Sequence, residues 1–168
     1  VTKDTIFIGD SNHGLIALER KTGCERWVYE HKGLITSAII PGSIQKSETE
    51  DIPILVFADR FSGVYGVNAV DGELMWHITV EDHLVPLYSG TPLVTDDTVF
   101  IPVSSKEVGL SVNPFYGCCT TSGGMAAYDI TNGEKKWYLP TIEDSATVTG
   151  KHLGFVKKWA TKIFTQTY

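Results

Sequence analysis

Short apolar runs, each bounded by polar residues or glycine, follow one another along most of the chain. β-branched and aromatic residues dominate these runs, which are five or six residues long and include residues 5–9, 54–58 and 98–102. Such runs are typical of β-strands, and no long stretch has the 3.6-residue period of an amphipathic helix. The pattern predicts an all-β protein, with further strands at residues 35–40 and 91–94.

A strand, turn, strand unit ending in Gly-x-x-x-Trp occurs three times. A Thr-Gly, Asp-Gly or Asn-Gly pair precedes each tryptophan and predicts a tight hairpin turn. The turn glycines are 49 and then 61 residues apart, which is about the length of a four-stranded propeller blade. The three pairs are Gly23 with Trp27, Gly72 with Trp76, and Gly133 with Trp137. We therefore expect a β-propeller in which each tryptophan is wedged between neighbouring blades.

The number of repeats predicts an incomplete propeller. Three blades are expected at residues 1–32, 33–82 and 83–142, within a propeller domain that covers residues 1–151. Propellers typically close with four to eight blades, so we expect either a piece of a larger propeller or a subunit that another chain completes. Residues 152–168 lack turn and strand signals and are predicted to be a C-terminal tail, disordered or cut short.

Charge and hydropathy exclude two classes of partner. The 168 residues carry a formal net charge of -6, which leaves no basic surface of the kind that binds nucleic acid. No apolar run approaches the roughly 20 residues that a membrane-spanning helix needs, and no signal peptide is visible. The chain begins with valine, so its localisation has to be inferred from other features.

The best copy of the repeat, which runs from Ala127 through Asp129 and Gly133 to Trp137, resembles the tryptophan-docking repeat of pyrroloquinoline quinone (PQQ) dehydrogenases. The same repeat occurs in non-catalytic propellers, such as outer-membrane assembly scaffolds. A longer pattern is similar to the polyvinyl-alcohol-dehydrogenase-like branch of the quinoprotein alcohol dehydrogenases. It comprises residues 102–108, 113–120, 124–137 and 149–151, and the resemblance covers roughly residues 54–152.

This resemblance implies part of a PQQ- and calcium-dependent dehydrogenase that oxidises small-molecule or polymeric alcohols. The family passes electrons to an acceptor such as a cytochrome c and acts in the periplasm or outside the cell. Its catalytic aspartate and remaining calcium ligands lie in later blades, so we expect no catalytic residue in this chain and no activity in isolation. The alternative is a non-catalytic binding or assembly scaffold with the same fold.

The resemblance also assigns candidate site residues. Glu107 stands where the family has a glutamate beside calcium, and carboxylate oxygens are ligands that calcium prefers. Ser104 and Ser105 are candidates for hydrogen bonds to PQQ, and Ser89 and Thr91 are weaker candidates. The alternative interpretation makes Glu107 a solvated loop carboxylate and the serines ordinary turn residues. An arginine that relatives often carry soon after the cysteines is missing here.

The adjacent cysteines, Cys118 and Cys119, are unusual for a disulfide scaffold or a zinc site. By resemblance to PQQ alcohol dehydrogenases, they are expected to form a vicinal disulfide against the cofactor. Two free, buried thiols are the alternative. Cys24 has no evident partner and is expected to be a free thiol.

Other chemistries find less support in the sequence. The five histidines show no paired ligand spacing. The run Glu81, Asp82 and His83 contains acid and base groups, but neighbouring residues of an extended segment point to opposite faces. We therefore expect these three residues to form a polar loop between blades.

Overall fold

The computed structural model describes residues 2–47, 50–113, 116 and 119–143. These residues form twelve strands and one short helix. In chain order the elements are β1 (Thr5–Asp10), β2 (Gly14–Glu19), β3 (Glu25–Glu30), β4 (Ile40–Ser47), β5 (Glu50–Asp59), β6 (Gly63–Asn68), β7 (Leu74–Ile78), β8 (Pro86–Leu87), β9 (Leu93–Val94), β10 (Thr98–Ser105), α1 (Glu107–Leu110), β11 (Gly124–Asp129) and β12 (Lys135–Pro140).

The strands make three antiparallel sheets in sequence order. The first sheet has the order β1-β2-β3, the second β4-β5-β6-β7, and the third β12-β11-β10, with β8 and β9 both pairing with β10. The first two sheets are therefore meanders in which sequence neighbours pair, whereas in the third sheet β8 pairs with β10 instead of β9. This arrangement, an all-β fold of successive propeller-type sheets, confirms the predicted fold class. The exact blade boundaries stay a prediction, and the predicted tail lies outside the described residues.

The three repeat turns have one geometry. Gly23, Gly72 and Gly133 all have a positive φ, between 72° and 78°, a backbone region that glycine enters without steric cost. In each turn the glycine N–H donates to the carbonyl four residues earlier, as in Gly72 to Asn68 at 2.9 Å. A register shift follows at the same place in all three hairpins. The predicted hairpins are thus confirmed.

The first strands differ from the sequence prediction. Residues 35–40 were expected to pair as a strand, but β4 begins at Ile40, and Ile35 makes only an isolated bridge to Asp59. Between them the Ser37 hydroxyl accepts the Ala58 N–H at 2.7 Å. A side chain thus replaces one bond of the backbone ladder, because Ser and Thr compete locally for backbone partners.

Two apolar cores separate the three sheets. The core between the first and second sheets contains Leu15, Leu55, Phe57 and Tyr65, with Phe7 and Trp27 packed against it. The core between the second and third sheets is larger and is formed by Ile54, Val56, Val64, Trp76, Tyr88, Val99, Ile101, Tyr128 and Ile130, among others. The second sheet is consequently buried on both faces, and residues 54–59 of β5 and 63–67 of β6 are all buried.

Tryptophan packing between sheets is confirmed for two of the three repeats. Trp27 lies against Gly72 of the next sheet, and Trp76 lies against Gly133. The Trp76 indole N–H also donates to the Ile130 carbonyl at 2.7 Å. Trp137 is different, since it is 43% exposed and packs beside Phe100 of its own sheet.

Candidate functional site

Several connections between strands meet at one end of the sheets. We call residues 31–36, 59–63, 81–89, 104–113, 116 and 119–123 the loop end. Backbone hydrogen bonds join its parts: Arg60 donates to Leu34 at 2.9 Å, Tyr88 donates to Arg60 at 3.0 Å, and Lys106 donates to Val85 at 3.0 Å. Most of the predicted site residues lie on this end, so their relative positions are fixed by backbone contacts.

Glu107 is the most constrained side chain of the loop end. It begins helix α1 and is only 2% exposed. The Tyr116 hydroxyl donates to Oε1 at 2.8 Å, and the Thr120 N–H lies 3.0 and 2.9 Å from the two oxygens. Thr121 donates its N–H to Oε2 at 2.7 Å and its hydroxyl at 2.6 Å, and the Thr120 hydroxyl donates to Oε1 at 3.1 Å. The carboxylate therefore holds the start of the segment that leads to β11.

These contacts keep Glu107 ionised despite its burial. Burial alone raises the pKa of a carboxyl group, because it penalises the charged form. Here the hydrogen bonds from Thr121, Thr120 and Tyr116 outweigh burial and lower the pKa of Glu107 from 4.5 to about 2. Glu107 is thus a buried anion, which excludes the alternative that it is a solvated loop carboxylate.

The donors around Glu107 test whether a calcium ion fits there. Calcium takes six to eight oxygen ligands, and a carboxylate that binds it has to offer free lone pairs, of which it has about four. Each oxygen of Glu107 already faces at least three donor groups, and backbone N–H groups cannot turn around to accept. Among the described residues, no group of three or more His, Cys, Asp or Glu side chains is placed to hold a metal. In this arrangement the residues do not fit calcium, and the predicted metal role of Glu107 stays a prediction.

The predicted serines divide into two groups. Ser105 is buried, its hydroxyl accepts the Glu107 N–H at 3.0 Å, and it lies 2.7 Å from the Thr121 hydroxyl. It therefore belongs to the group of residues that surround Glu107, which we call the cradle: Ser105, Tyr116, Thr120 and Thr121. Ser104 is half-buried, and its hydroxyl lies 3.3 Å from that of the exposed Ser89.

Thr91 is not brought to this cradle. Its hydroxyl accepts the Ala38 N–H at 3.2 Å, in the part of the chain that leads into β4. This contact joins the second and third sheets, so the structure gives Thr91 a role in sheet packing. Its predicted contact with PQQ stays a prediction.

The cysteines are described in part. Cys119 is buried and is held in a disulfide bond, while Cys24 is an exposed free thiol, as predicted. Cys118 lies outside the described residues. The structure places Cys119 directly before Thr120, and therefore beside the Glu107 cradle.

Sequence reasoning missed a second buried carboxylate at the loop end. Asp59 is 1% exposed, and its Oδ2 lies 2.9 Å from His31 Nε2. Its Oδ1 accepts the N–H groups of Phe61 and Ser62, both at 2.9 Å. Burial acts to raise the pKa of Asp59, but the contacts with His31, Phe61 and Ser62 lower it below the usual value. A signal existed, because an aspartate stands four residues before a strand-starting glycine both here and at Asp10.

The run from Glu81 to His83 does not converge on one point. Asp82 pairs with Lys135 at 3.0 Å. His83 is buried, its Nε2 lies 2.7 Å from the Ser122 carbonyl, and its Nδ1 accepts the Val85 N–H. The separate partners fit the interpretation of a polar loop. An open cleft nearby, lined by residues that include His77, Tyr128 and Lys135, contains none of the predicted site residues.

In the part of the chain that the structure describes, no helix is long and apolar enough to cross a membrane.

Comparison with known proteins places the chain in a family. The PQQ_2 family, described as outer membrane protein assembly factor BamB, matches residues 50–158. Polyvinylalcohol dehydrogenases from Pseudomonas sp. and from Sphingopyxis sp. strain 113P3 are each 24% identical over 143 residues, which is 85% of this chain. The chain spans only 22% of the length of these relatives.

Solved structures share the fold. Quinohemoprotein alcohol dehydrogenase from Comamonas testosteroni superposes with a TM-score of 0.60 at 19% identity, over 84% of this chain and 20% of its own. The quinohemoprotein alcohol dehydrogenase ADHIIG from Pseudomonas putida HK5 gives a TM-score of 0.63 at 16% identity, over 90% of this chain and 21% of its own. The chain therefore belongs to the PQQ_2 family of repeat β-propellers, and its resemblance to the quinoprotein alcohol dehydrogenases, polyvinyl-alcohol-dehydrogenase-like branch, is confirmed.

Proposed function

We propose that this chain is part of a PQQ-dependent alcohol dehydrogenase of the polyvinyl alcohol type. The observation that carries the proposal is the alignment with two polyvinylalcohol dehydrogenases over 85% of the chain. The substrate class is an alcohol, small or polymeric, and the electrons pass to an acceptor such as a cytochrome c. Because the chain matches only 22% of those relatives, the activity belongs to a longer parent protein.

The loop end is the proposed contribution of this chain to the cofactor site. PQQ supplies the redox chemistry when bound, since it takes up the hydride equivalent of the alcohol. The Ser89 and Ser104 hydroxyls lie side by side at the loop end and fit a role as hydrogen-bond donors to a carboxylate. Glu107 holds Thr120 and Thr121 in place, which fixes the adjoining Cys119. These roles orient a ligand and leave proton removal from the alcohol to residues elsewhere in the parent.

A vicinal disulfide between Cys118 and Cys119 is part of the proposal. It is supported by the disulfide-bonded state of Cys119 and by the free thiol of Cys24. Disulfides persist in oxidising compartments, so the same observation supports a periplasmic or secreted parent. We also propose a metal in the parent, as expected for the calcium-dependent family. No step is assigned to calcium at Glu107, because the donors around that carboxylate do not fit it.

The proposal is tested by reconstituting the parent protein with PQQ and calcium and following dye reduction with polyvinyl alcohol. We expect PQQ-dependent reduction by the parent and none by the 168-residue chain. The double substitution Ser89→Ala/Ser104→Ala in the parent should raise the PQQ concentration for half-maximal activity several-fold, because two hydrogen bonds to PQQ are lost. Ser43→Ala, on an exposed position of β4, is the matched control and should leave that concentration unchanged.

A non-catalytic scaffold is the second candidate, and the description of the matching family as an assembly factor favours it. The same experiment separates the two candidates. A folded parent that neither binds PQQ nor reduces dye in its presence contradicts the dehydrogenase and supports the scaffold. Dye reduction by the 168-residue chain alone would contradict the expectation that catalytic residues lie elsewhere.

A further inference from the structure

An open cleft lies where the edge strands of the second and third sheets meet. Its volume is about 360 Å³, which is within the range of small-ligand sites. One wall comes from β7 and the residues after it, and the other from β11, the third repeat turn and β12. The lining residues include His77, Thr79, Glu81, Tyr128 and Lys135. Both walls belong to sheets that pack on each other through the larger apolar core, so the cleft is part of that interface.

Tyr128 brings an unpartnered hydroxyl to this cleft. The residue is 5% exposed and belongs to the core between the two sheets. Among the described residues, every completely buried side-chain oxygen or nitrogen has a hydrogen-bond partner, whereas none of them bonds to the Tyr128 hydroxyl. The hydroxyl is therefore accessible, and the cleft that Tyr128 lines is the way to it. It can donate one hydrogen bond to a ligand and accept another.

Two carboxylates lie near this hydroxyl. The pKa of Tyr128 is raised to about 12, chiefly by burial and next by the negative charge of Asp82, with a further contribution from Glu81. Lys135 donates to both oxygens of Asp82 at 3.0 Å, so that carboxylate is occupied. Glu81 is exposed and has no ion-pair partner among the described residues. The cleft thus offers a phenol that stays protonated and a carboxylate that only accepts hydrogen bonds.

The corresponding positions at the interface between the first and second sheets are apolar. When the repeats are aligned on their glycines and tryptophans, Tyr128 corresponds to Val67 and Lys135 to Leu74. In both hairpins these two positions are directly opposite each other, and Val67 is completely buried. Apolar side chains at these positions are therefore sufficient for sheet packing in this chain. The polar pair at the second interface favours a role in binding instead.

We propose that this cleft binds a segment of a hydroxyl-rich polymer, held by Tyr128 and Glu81. The choice of polymer rests on the proposed dehydrogenase function, whose polymeric substrate carries hydroxyls on alternate carbon atoms. One hydroxyl of the polymer bonds with the Tyr128 hydroxyl, and a nearby one donates to the Glu81 carboxylate.

The chemistry of the cleft agrees with a neutral ligand of this kind. Two carboxylates and one ammonium group, those of Glu81, Asp82 and Lys135, leave the cleft negative in character, which disfavours phosphate and other anions. The cleft is open to solvent, so a long chain can enter it from the side. None of the residues proposed to contact PQQ lines it, so the polymer and the cofactor do not compete for the same side chains.

The test measures binding of vinyl alcohol oligomers to the PQQ-free parent protein by isothermal titration calorimetry. Tyr128→Phe removes only the hydroxyl and keeps the ring in the core, and it should raise Kd by about three- to tenfold, the effect of one lost hydrogen bond. Adding Glu81→Gln should raise Kd further. Tyr29→Phe is the matched control, because Tyr29 packs at the interface of the first and second sheets, and it should leave Kd unchanged.

Oligomers of ethylene glycol of the same length show whether hydroxyls are recognised. Their ether oxygens cannot donate to Glu81, so they should bind several-fold more weakly. Circular dichroism checks that the variants are folded. The proposal is overturned if the vinyl alcohol oligomers do not bind, if both polymers bind equally well, or if folded Tyr128→Phe keeps the wild-type Kd.

Kinetics of the PQQ-loaded parent separate the polymer site from the dehydrogenase function. Tyr128→Phe should raise KM for polyvinyl alcohol and leave KM for propan-2-ol unchanged, because the small alcohol does not need the cleft. If the oligomers bind but no dye is reduced, the dehydrogenase function is contradicted and the polymer site is supported. If dye is reduced with the same KM for polyvinyl alcohol in the wild type and in Tyr128→Phe, the polymer site alone is contradicted.

Discussion

Two buried carboxylates at the loop end show two ways of keeping a negative charge inside a protein. Asp59 is the last residue of strand β5, and its Oδ2 lies 2.9 Å from the imidazole Nε2 of His31. Glu107 comes just after β10, and its donors among the described residues are all uncharged: Tyr116, Thr120 and Thr121. Both side chains are almost completely buried, but one oxygen of Asp59 contacts an imidazole, whereas the described donors to Glu107 are hydroxyl and backbone N–H groups.

The difference lies in what each carboxylate joins. Asp59 connects the segment after the first sheet, through His31, with the turn that starts β6. Glu107 joins residues of a single connection, the one from β10 to β11. A carboxylate held by several N–H and O–H groups is stabilised by charge-assisted hydrogen bonds, and losing several of them costs more than losing one contact with a partly accessible histidine. Glu107 should therefore contribute more to stability than Asp59.

Replacing Glu107 tests the larger of the two contributions. Glu107→Gln puts an amide NH2 opposite N–H donors, so at least one buried donor loses its acceptor. We expect a loss of about 2–3 kcal/mol in the free energy of unfolding, measured by urea denaturation with an unchanged m value. Glu134→Gln, at an exposed turn position, is the control. If Glu107→Gln lowers the free energy of unfolding no more than the control does, the carboxylate does not hold Thr120 and Thr121 in place.

Asp59→Asn is expected to cost less, about 1–2 kcal/mol, because the amide oxygen can still accept the Phe61 and Ser62 N–H groups. A double-mutant cycle with His31→Asn isolates the interaction of the two side chains. Asp10→Asn serves as the matched control, since Asp10 faces His13 in an exposed turn, and it should have little effect. A coupling energy of zero would contradict a stabilising interaction between the side chains of Asp59 and His31.

The pH dependence of stability gives the smallest effect. The pKa of Glu107 is lowered from 4.5 to about 2 on folding, so its contribution is present above pH 4.5 and is lost as the pH falls towards 2. Between pH 5 and pH 4 the wild-type protein should lose roughly 0.7 kcal/mol more than Glu107→Gln, because only the unfolded state takes up protons in that range. Urea midpoints at the two pH values provide the measurement, and parallel changes in both proteins would contradict the lowered pKa.

The features that could be predicted from the sequence are those that depend on local residue types and on the spacing of the repeat. Turn glycines such as Gly72, and the strands beside them, follow from residue types within one hairpin. Glu107 was selected as a site residue, but its partners Thr120 and Thr121 lie 13 and 14 residues later, and no local pattern shows that they would take up the carboxylate. The pair of Asp59 with His31 was missed for the same reason, since it depends on the packing of one sheet against the next.

The glycine and tryptophan contact makes the fold additive. Each sheet meets only its immediate neighbours, as in a one-dimensional array whose stability is the sum of unit and interface terms. Within the described residues the middle sheet has two interfaces and each outer sheet has one, so amide hydrogens of β5 and β6 should exchange most slowly. The structure of a single sheet does not determine how many sheets the propeller contains. The number of blades then depends on the contacts between neighbouring sheets. An array of this kind can gain or lose one sheet while the remaining sheets keep their own structure.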